Sequence, residues 1–270
     1  MKGPGKTYGL LSETSTIEET RNPYWKRDLP IDAAFKWLSS GWADLWRQPL
    51  PSLAYGFGVF IVSAFLVWLM FLGGWEHYLF PAVSGFMIIA PILASGLYAK
   101  SKALQTNVPW RMSSMSPFRA DTGTHLLFTG LLLLLLLLLW MRAAVLVYAL
   151  FWGISPFPGL DLIASMLFTT PTGWAMLVVG SFIGSLFAGL GFAVSVFSVP
   201  MLLDKRVDAL TAMGTSVALV WNNLRPMLLW GAIVLTLFIF CVATAFVGLV
   251  IVFPLLGHAT WHAYKAVQRD

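Results

Sequence analysis

The chain alternates between long apolar runs and short polar connections. At about 1.5 Å per helical residue, a run needs roughly 20 residues to cross the hydrocarbon core of a membrane. Four runs reach that length, and we predict a spanning helix in each of them: Leu53–Gly73, Leu79–Ala99, Leu126–Trp152 and Trp174–Val199.

The last apolar run, Met227–Leu256, is longer than one span requires. Continued through Tyr264 as a single helix, it would exceed about 50 Å. It therefore fits either one tilted span or two spans joined by a tight turn near residues 244–248.

The basic residues favour two spans over one. Seven Lys and Arg residues precede Leu53, four lie between the second and third spans, three follow the fourth span and two follow the final run. The connections at 73–78 and 153–173 have none. Because short basic connections stay in the cytoplasm, an even number of spans keeps both basic ends on that side. We predict six spans arranged as three hairpins, with both termini cytoplasmic.

Shorter stretches have the spacing of amphipathic helices. From Pro30 onward, one face collects the residues Phe35, Leu38, Trp42, Leu45 and Trp46, while Asp44 and most other polar residues lie opposite. Such a helix is typical of the membrane interface, although a helix packed on another protein surface has the same pattern.

Two further stretches are amphipathic. Residues 204–224 predict a helix for which Asp204 or Asp208 is the candidate cap. Leu160, Ile163 and Leu167 predict one or two turns of interfacial helix.

The composition supports this division. Apolar residues make up 58% of the chain and charged residues 11%, against about 45–50% and 25% in soluble domains, and the mean hydropathy is +0.78. We predict an all-α, polytopic transmembrane bundle with residues 30–270 as one domain. Residues 1–29 lack apolar periodicity and predict a disordered cytoplasmic tail. The net charge of +5 follows from topology, so we expect no nucleic-acid partner.

Several kinds of site are disfavoured by the residues themselves. Cys241 is the single cysteine, so one chain forms neither a disulfide framework nor a thiolate metal site. No nucleotide-binding loop, nucleophile elbow or pair of catalytic carboxylates stands out. No histidine lies near the middle of a predicted span, where a haem-bearing bundle has its ligands. We expect no cofactor and no metal, and identify no catalytic residue.

The closing stretch, residues 254–265, has the most unusual local composition. His258 and His262 are one helical turn apart, so both imidazoles share one face and could ligate a metal or a haem. No third ligand lies nearby in sequence. Trp261 and Tyr264 favour the other interpretation, an aromatic belt whose histidines bond water or lipid headgroups. We expect this stretch to pack near the Trp42 helix at the inner interface.

Arg142 is the one formal charge well inside a predicted span. A charge at the centre of a span costs at least about 2.5–3.5 kcal/mol, which makes this arginine a candidate contact for an anion or a substrate. The alternative is that its long side chain reaches the far interface from the outer third of the helix.

Gly180, Gly184 and Ala188 form a stripe of small residues on the fourth span. Such a stripe allows close approach of two helix backbones. We predict that it is a packing seam of the bundle, with a homodimer face as the alternative.

Five segments together resemble one protein family. It is a bacterial integral-membrane family of unknown function, some of whose members are labelled cytochrome c oxidase subunits. The resemblance runs from residue 30 to the end and implies the bacterial cytoplasmic membrane, without supplying a mechanism. Its segments are Trp37-Leu-Ser-Ser-Gly-Trp-Ala-Asp44, Pro51-Ser-Leu-Ala-Tyr-Gly56, Ala94-Ser-Gly-Leu-Tyr98, Pro200-Met-Leu-Leu-Asp204 and Gly257-His-Ala-Thr-Trp-His-Ala-Tyr264.

The segment that ends at Asp204 is also similar to six-helix bacterial membrane domains that include solute permeases, and we count Asp204 among the candidate functional residues.

Three classes of function remain. A small-solute transporter or channel accounts for Arg142 and for the helix-breaking prolines. A non-catalytic accessory or assembly subunit of a respiratory, cytochrome oxidase-type or envelope complex accounts for the small-residue stripe. An intramembrane enzyme or haem protein is the least favoured. Expected partners are membrane lipid and either a second copy or the subunits of such a complex.

Overall fold

The computed structural model describes residues 25–107, 120–153 and 158–268, and these residues form helices and no β-strand. The all-α prediction is therefore confirmed. The helices are α1 (Ala33–Arg47), α2 (Pro49–Leu72), α3 (Leu79–Leu93), α4 (Ser95–Gln105), α5 (Ala120–Trp152), α6 (Leu160–Thr169), α7 (Pro171–Ser195), α8 (Ser198–Asp204), α9 (Ala209–Asn222), α10 (Leu224–Ala243) and α11 (Leu249–Val267), with a 3₁₀ turn at Glu76–Tyr78.

Five helical stretches in the described part of the chain are long and apolar enough to cross a membrane. Four of them correspond to the spans predicted before residue 200, and the fifth is α10. The protein is thus a polytopic transmembrane helix bundle. The stretches are Pro49–Leu72, Glu76–Gln105, Gly123–Trp152, Pro171–Asp204 and Leu224–Ala243.

The turn predicted within the last apolar run is present between α10 and α11. Its backbone reverses at Ala245 and Phe246, which have φ of +49° and +67°. Gly248 has an ordinary φ of −55°, and its missing side chain serves packing, since a Cβ there would lie 3.2 Å from Cys241 Sγ. With 19 residues, α11 has nearly the length of a span, but it is more polar than the five apolar stretches.

Helix α11 lies at the centre of the bundle, in contact with α1, α2, α4 and α10. From residue 252 to residue 264, all its side chains except those of Leu256 and His262 are buried. Two glycines let neighbouring backbones come close to it. A Cβ at Gly41 of α1 would lie only 2.5 Å from Ala259 N, and one at Gly56 of α2 would collide with Val250 O.

Helix α1 packs on α11 through a different face from the one that its apolar spacing suggests. Trp37, Gly41 and Asp44 are buried, whereas Trp42 and Trp46 are about half exposed. The prediction that Asp44 lies on the polar, outward side is wrong. Small residues such as Gly41 permit close approach of the backbones, and the indoles of Trp42 and Trp46 are left outside. One face of this helix therefore packs on the surface of α11, and its location at the membrane interface stays a prediction.

Other local predictions are refined by the structure. Asp208, and not Asp204, caps α9, since its carboxylate accepts a hydrogen bond from Thr211 N at 2.9 Å. Helix α6 is present, and its Ile163 is buried. Lys100, expected at the start of a polar connection, lies inside α4 and is fully buried.

Residues 1–24 of the expected N-terminal tail lie outside the described residues. Residues 25–29 are described and lie against the joint between α9 and α10. Asn223 Nδ2 donates to Trp25 O at 3.0 Å, and Arg27 N donates to Asn223 Oδ1 at 2.9 Å.

Two glycine substitutions test the role of close helix contact. Gly41→Ala should lower the stability of the purified protein by about 1–3 kcal/mol, because the new methyl group forces α1 away from α11. Gly58→Ala is the matched control, since a Cβ at Gly58 of α2 meets nothing within 4 Å, and alanine is the better helix former. Thermal melting in detergent measures both. Equal melting temperatures for the two variants would contradict the packing described here.

Candidate functional site

A cluster of polar side chains is buried where α1, α4 and α11 meet the first turn of α2. Its members are Asp44 of α1, Ser52 of α2, Lys100 and Ser101 of α4, and His258 of α11. Asp44 is 5% exposed, and the other four are not exposed at all. Lysine and aspartate are almost never buried to this degree unless they are paired, so the contacts among these five residues decide whether the bundle is stable.

Hydrogen bonds join the five side chains into one continuous chain. Lys100 Nζ lies 2.6 Å from Ser52 Oγ, which lies 2.8 Å from His258 Nε2. On the other side of the ring, His258 Nδ1 lies 2.8 Å from Ser101 Oγ, which lies 2.9 Å from Asp44 Oδ2. Lys100 Nζ also donates to Gln48 O at 2.6 Å. We call Lys100–Ser52–His258–Ser101–Asp44 the polar chain.

The ends of the polar chain determine the direction of every hydrogen bond within it. An ammonium can only donate and a carboxylate can only accept. Ser52 Oγ therefore accepts from Lys100 and donates to His258 Nε2, while Ser101 Oγ donates to Asp44 and accepts from His258 Nδ1–H. The Nδ1 proton of His258 is thereby fixed, and burial beside the Lys100 ammonium favours the neutral ring, in which Nε2 accepts from Ser52. Every donor in the polar chain points toward Asp44.

A second branch reaches Asp44 from α11 and the end of α4. Trp261 Nε1–H donates to Gln105 Oε1 at 2.9 Å, which orients the amide so that its nitrogen faces His262 Nδ1 at 3.3 Å. Because the amide nitrogen can only donate, His262 carries its proton on Nε2 and donates it to Asp44 Oδ2 at 2.8 Å. His262 is partly exposed, so this branch connects the buried carboxylate with the outside of the bundle.

The two branches decide the protonation of Asp44. Burial by itself would raise the pKa of this carboxyl group, because it disfavours the charged form. Hydrogen bonds from His262 and Ser101 outweigh burial and hold the pKa below its ordinary value of 3.8. Asp44 is therefore an ionised, buried carboxylate at neutral pH.

Asp204 lies in a neighbouring charged cluster that joins the ends of α4, α8 and α11. Lys102 Nζ lies 3.0 Å from Asp204 Oδ1, and Lys265 Nζ lies 3.2 Å from Asp204 Oδ2. Tyr264 donates to the same carboxylate at 3.2 Å. Both lysines are about one-third exposed. This cluster is therefore a salt-bridge network near the surface of the bundle, whereas the polar chain lies in its interior.

The expectation that the two histidines bond water or headgroups is wrong. Both ring nitrogens of His258 and both of His262 are bonded to side chains of α1, α2 and α4. The predicted contact between the closing stretch and the Trp42 helix is present. Among the described residues, no group of three or more His, Cys, Asp or Glu side chains is arranged to hold a metal ion.

The remaining candidates lie away from the polar chain. Arg142 is exposed on α5. Gly180 and Gly184 face α5, where a Cβ at Gly180 would lie 3.7 Å from Val147 and one at Gly184 would lie 3.1 Å from the Trp140 ring. These two glycines therefore form a packing seam within the bundle, while Ala188 is exposed on α7.

An apolar cavity adjoins the polar chain between α3, α7, α10 and α11. It is partly open to the outside. Aromatic and aliphatic side chains form most of the wall, and none of the described residues that line it is charged. Its polar lining includes Tyr98, Ser195, Trp230 and Thr260.

Sequence reasoning identified the two histidines but missed the groups that they bond. Ser52 and Ser101 are short hydroxyl residues in apolar or mixed surroundings, and serine in such a helix usually bonds its own backbone. Lys100 follows an apolar run and has the pattern of a cytoplasmic flank. The one available signal was that the segments containing Asp44, Ser52 and His258 all belong to the family resemblance, which indicates nothing about their proximity.

Removal of the carboxylate tests the charge balance of the polar chain. Asp44→Ala should cost about 3–5 kcal/mol, because it removes the buried negative charge near Lys100 and leaves the Ser101 hydroxyl and the His262 N–H without their acceptor. Asp32→Ala is the control: Asp32 is exposed just before α1, and its side chain makes no capping bond. Thermal melting of the purified variants gives the comparison, and similar losses for both would refute the balance.

The lowered pKa of Asp44 also predicts a pH dependence. A carboxyl group whose pKa is lower in the folded state stabilises that state above the unfolded-state value of about 3.9. This contribution is lost as the pH falls through the folded-state pKa, which lies lower still. The difference in melting temperature between wild type and Asp44→Asn should therefore be constant near pH 7 and shrink below about pH 4. A difference that stays constant down to pH 2 would exclude Asp44 as the titrating group.

Comparison with known proteins gives one match. Residues 79–204 match the model of a family described as "Predicted integral membrane protein (DUF2189)". No curated protein and no solved structure matches the chain. The matched region contains Lys100, Ser101 and Asp204, and it lies between α2 and α9, so Asp44, Ser52 and His258 fall outside it. Over residues 79–204 the chain is thus similar to an integral membrane family of unknown function, which confirms the predicted resemblance to such a family. The closing motif lies outside the matched residues.

Proposed function

We propose that the protein is a small-solute transporter of the bacterial cytoplasmic membrane, in which a proton shift along the polar chain is coupled to occupancy of the adjoining cavity. One observation carries the proposal: α4 and α11 line both features. On α4, Tyr98 faces the cavity while Lys100 and Ser101 belong to the polar chain. On α11, Thr260 faces the cavity while His258 joins the chain.

The polar chain is suited to a proton shift. Lys100 gives a proton to Ser52 Oγ, whose own proton passes to His258 Nε2. The Nδ1 proton of His258 passes to Ser101 Oγ, and the Ser101 proton passes to Asp44. One bond to hydrogen breaks and one forms at each intermediate residue, so the ammonium becomes an amine and the carboxylate becomes an acid. Buried ionisable groups in membrane bundles are costly and mark such relays.

Coupling follows from the shared helices. The shift replaces two opposite buried charges by two neutral groups, which changes the attraction that holds α1, α2 and α4 around α11. A solute in the cavity touches the other face of α4 and α11. If the solute fits one charge state better than the other, protonation changes its affinity, and by reciprocity the solute changes the protonation.

A six-span topology with both termini in the cytoplasm is part of the proposal. Five stretches are apolar enough to span, and α11, which nearly equals a span in length, supplies the sixth. Arg27, Lys102 and Lys265 gather where α11 ends, since the Arg27 side chain donates to Val267 O and both lysines bond Asp204. Basic groups at one end support its assignment to the cytoplasmic side.

Proton uptake into liposomes tests the function. Purified protein is reconstituted with a pH-sensitive dye inside, an inward proton gradient is imposed, and valinomycin with K⁺ balances charge. Proton uptake is recorded without added solute and then with one candidate solute outside the liposomes: 2-undecanone, undecane, glucose or alanine. We expect protein-dependent uptake that Ser52→Ala and Ser101→Ala reduce at least about tenfold, since loss of a hydroxyl interrupts the relay. Ser95→Ala is the matched control, because Ser95 is also buried on α4 but its hydroxyl has no hydrogen-bond partner in the described part of the chain.

Each variant must elute as the same folded species as wild type to be counted. Uptake equal to that of protein-free liposomes under every condition would refute the proposal. Enrichment of oxidase subunits with such an inactive protein would favour the accessory-subunit function instead.

A further inference from the structure

Trp230 lines the apolar cavity, and its indole nitrogen has no hydrogen-bond partner in the described part of the chain. Trp230 is not exposed to solvent at all, and Trp37 packs edge-on against it with ring centroids 5.9 Å apart and an interplanar angle of 81°. The indole is therefore held in a fixed orientation. A buried donor without an acceptor loses its hydrogen bond to water and gains nothing in return.

The other polar side chains of the cavity are satisfied. Ser195 Oγ donates to Gly191 O at 2.6 Å, and Thr260 Oγ1 donates to Leu256 O at 2.7 Å. The Tyr98 hydroxyl is bonded to Thr260. Among the described residues that line the cavity, Trp230 thus has the unpaired N–H donor. A ligand in the cavity reaches this N–H once the side chains that cover it move aside.

We propose that the cavity is a binding site for a neutral, single-chain amphipathic molecule whose carbonyl or ester oxygen accepts the Trp230 N–H. Three observations define this ligand class. An indole nitrogen donates and never accepts, so the ligand must supply an acceptor. The lining residues that the structure describes carry no charge, so a charged ligand would find no partner among them, at high cost. The wall is otherwise aromatic and aliphatic, which favours an apolar body.

The position of the cavity indicates where the ligand comes from. Its walls are formed by three apolar membrane-crossing stretches, containing α3, α7 and α10, together with α11. A molecule of this class partitions into the bilayer, so it is supplied from the hydrocarbon region and needs no aqueous entrance. This inference deepens the proposed transport function by naming the class of solute, and it rests on that function only for the claim that the ligand is carried.

Paired probes isolate the hydrogen bond. Full-length protein in lipid nanodiscs is titrated with tritiated 2-undecanone, undecane and laurate in a scintillation proximity assay. Wild type should bind the ketone about fivefold more tightly than the alkane, the factor expected for one net hydrogen bond, and should bind laurate more weakly than either. Trp230→Phe keeps an aromatic ring and removes the donor, so it should abolish the preference for the ketone.

Two further variants complete the design. Trp140→Phe is the matched control, since the Trp140 N–H already donates to Pro81 O and Ser84 Oγ, and it should retain the preference. Ala188 of α7 lines the cavity although it is exposed, so Ala188→Phe places a ring in the cavity wall and should weaken binding of the ketone and of the alkane equally. With a ¹³C-labelled ketone, the carbonyl stretch should lie at lower wavenumber in wild type than in Trp230→Phe. This signature does not depend on transport.

Equal affinities of wild type for ketone and alkane would overturn the inference, as would laurate binding as tightly as the ketone. A co-purified phospholipid that the ketone fails to displace would overturn it too, because a two-chain lipid would then be the occupant. The failures are distinguishable. If wild type prefers the ketone but shows no proton uptake, the transport function is refuted and the binding site stands. If wild type shows proton uptake but no preference for the ketone, the binding site is refuted and the transport function stands.

Discussion

Burial of a lysine and an aspartate in the same helix bundle is the constraint on which the rest of the structure depends. Neither charge has bulk water to solvate it, so each must be compensated by the protein. Compensation requires that α1, the first turn of α2, α4 and α11 meet in one register. A shift of α11 by one residue would turn His258 away from both serines. The polar chain thereby selects one arrangement among the many that apolar helices alone would accept.

Close packing supplies the other half of this specificity. Gly41 and Gly56 bring α1 and α2 into backbone contact with α11 at two levels, and only at that separation do Asp44 and Ser52 reach the imidazoles. The geometry that holds the polar chain together therefore depends on residues that have no side chain. The same α11 forms a wall of the apolar cavity, so its position defines both features.

Much of the fold could be predicted because each membrane span is determined by the local sequence of one continuous segment. The length of an apolar run, the position of a proline and the location of basic residues are local properties, and they identified four spans, α6, the α9 helix and the break before α11. The polar face assigned to Asp44 was wrong for a physical reason. Helix periodicity assumes that polar residues face outward, whereas here a carboxylate faces inward because hydrogen-bond donors from α4 and α11 surround it.

The candidate site was less predictable than the fold. Ser52 and Ser101 carry no signal of their own, and their role arises only from contacts across 157 and 206 positions of the chain. Lys100 resembles an ordinary cytoplasmic flank until its burial is known. The histidines stood out by composition, but their chemistry, a neutral imidazole relaying between two hydroxyls, depends on which atoms face them, and that is a property of the assembled bundle.

The central position of α11 has a consequence for biosynthesis. The ribosome synthesises Asp44 and Lys100 early, and it synthesises α11, the helix that connects them, last. At about 5–20 residues per second, roughly 10–30 s separate the synthesis of Lys100 from that of His262. During that interval both charges must be held by water, by lipid headgroups or by the insertion machinery at the membrane surface. The amino-terminal helices therefore dock late, around a final hairpin, and the bundle closes as a post-insertion event.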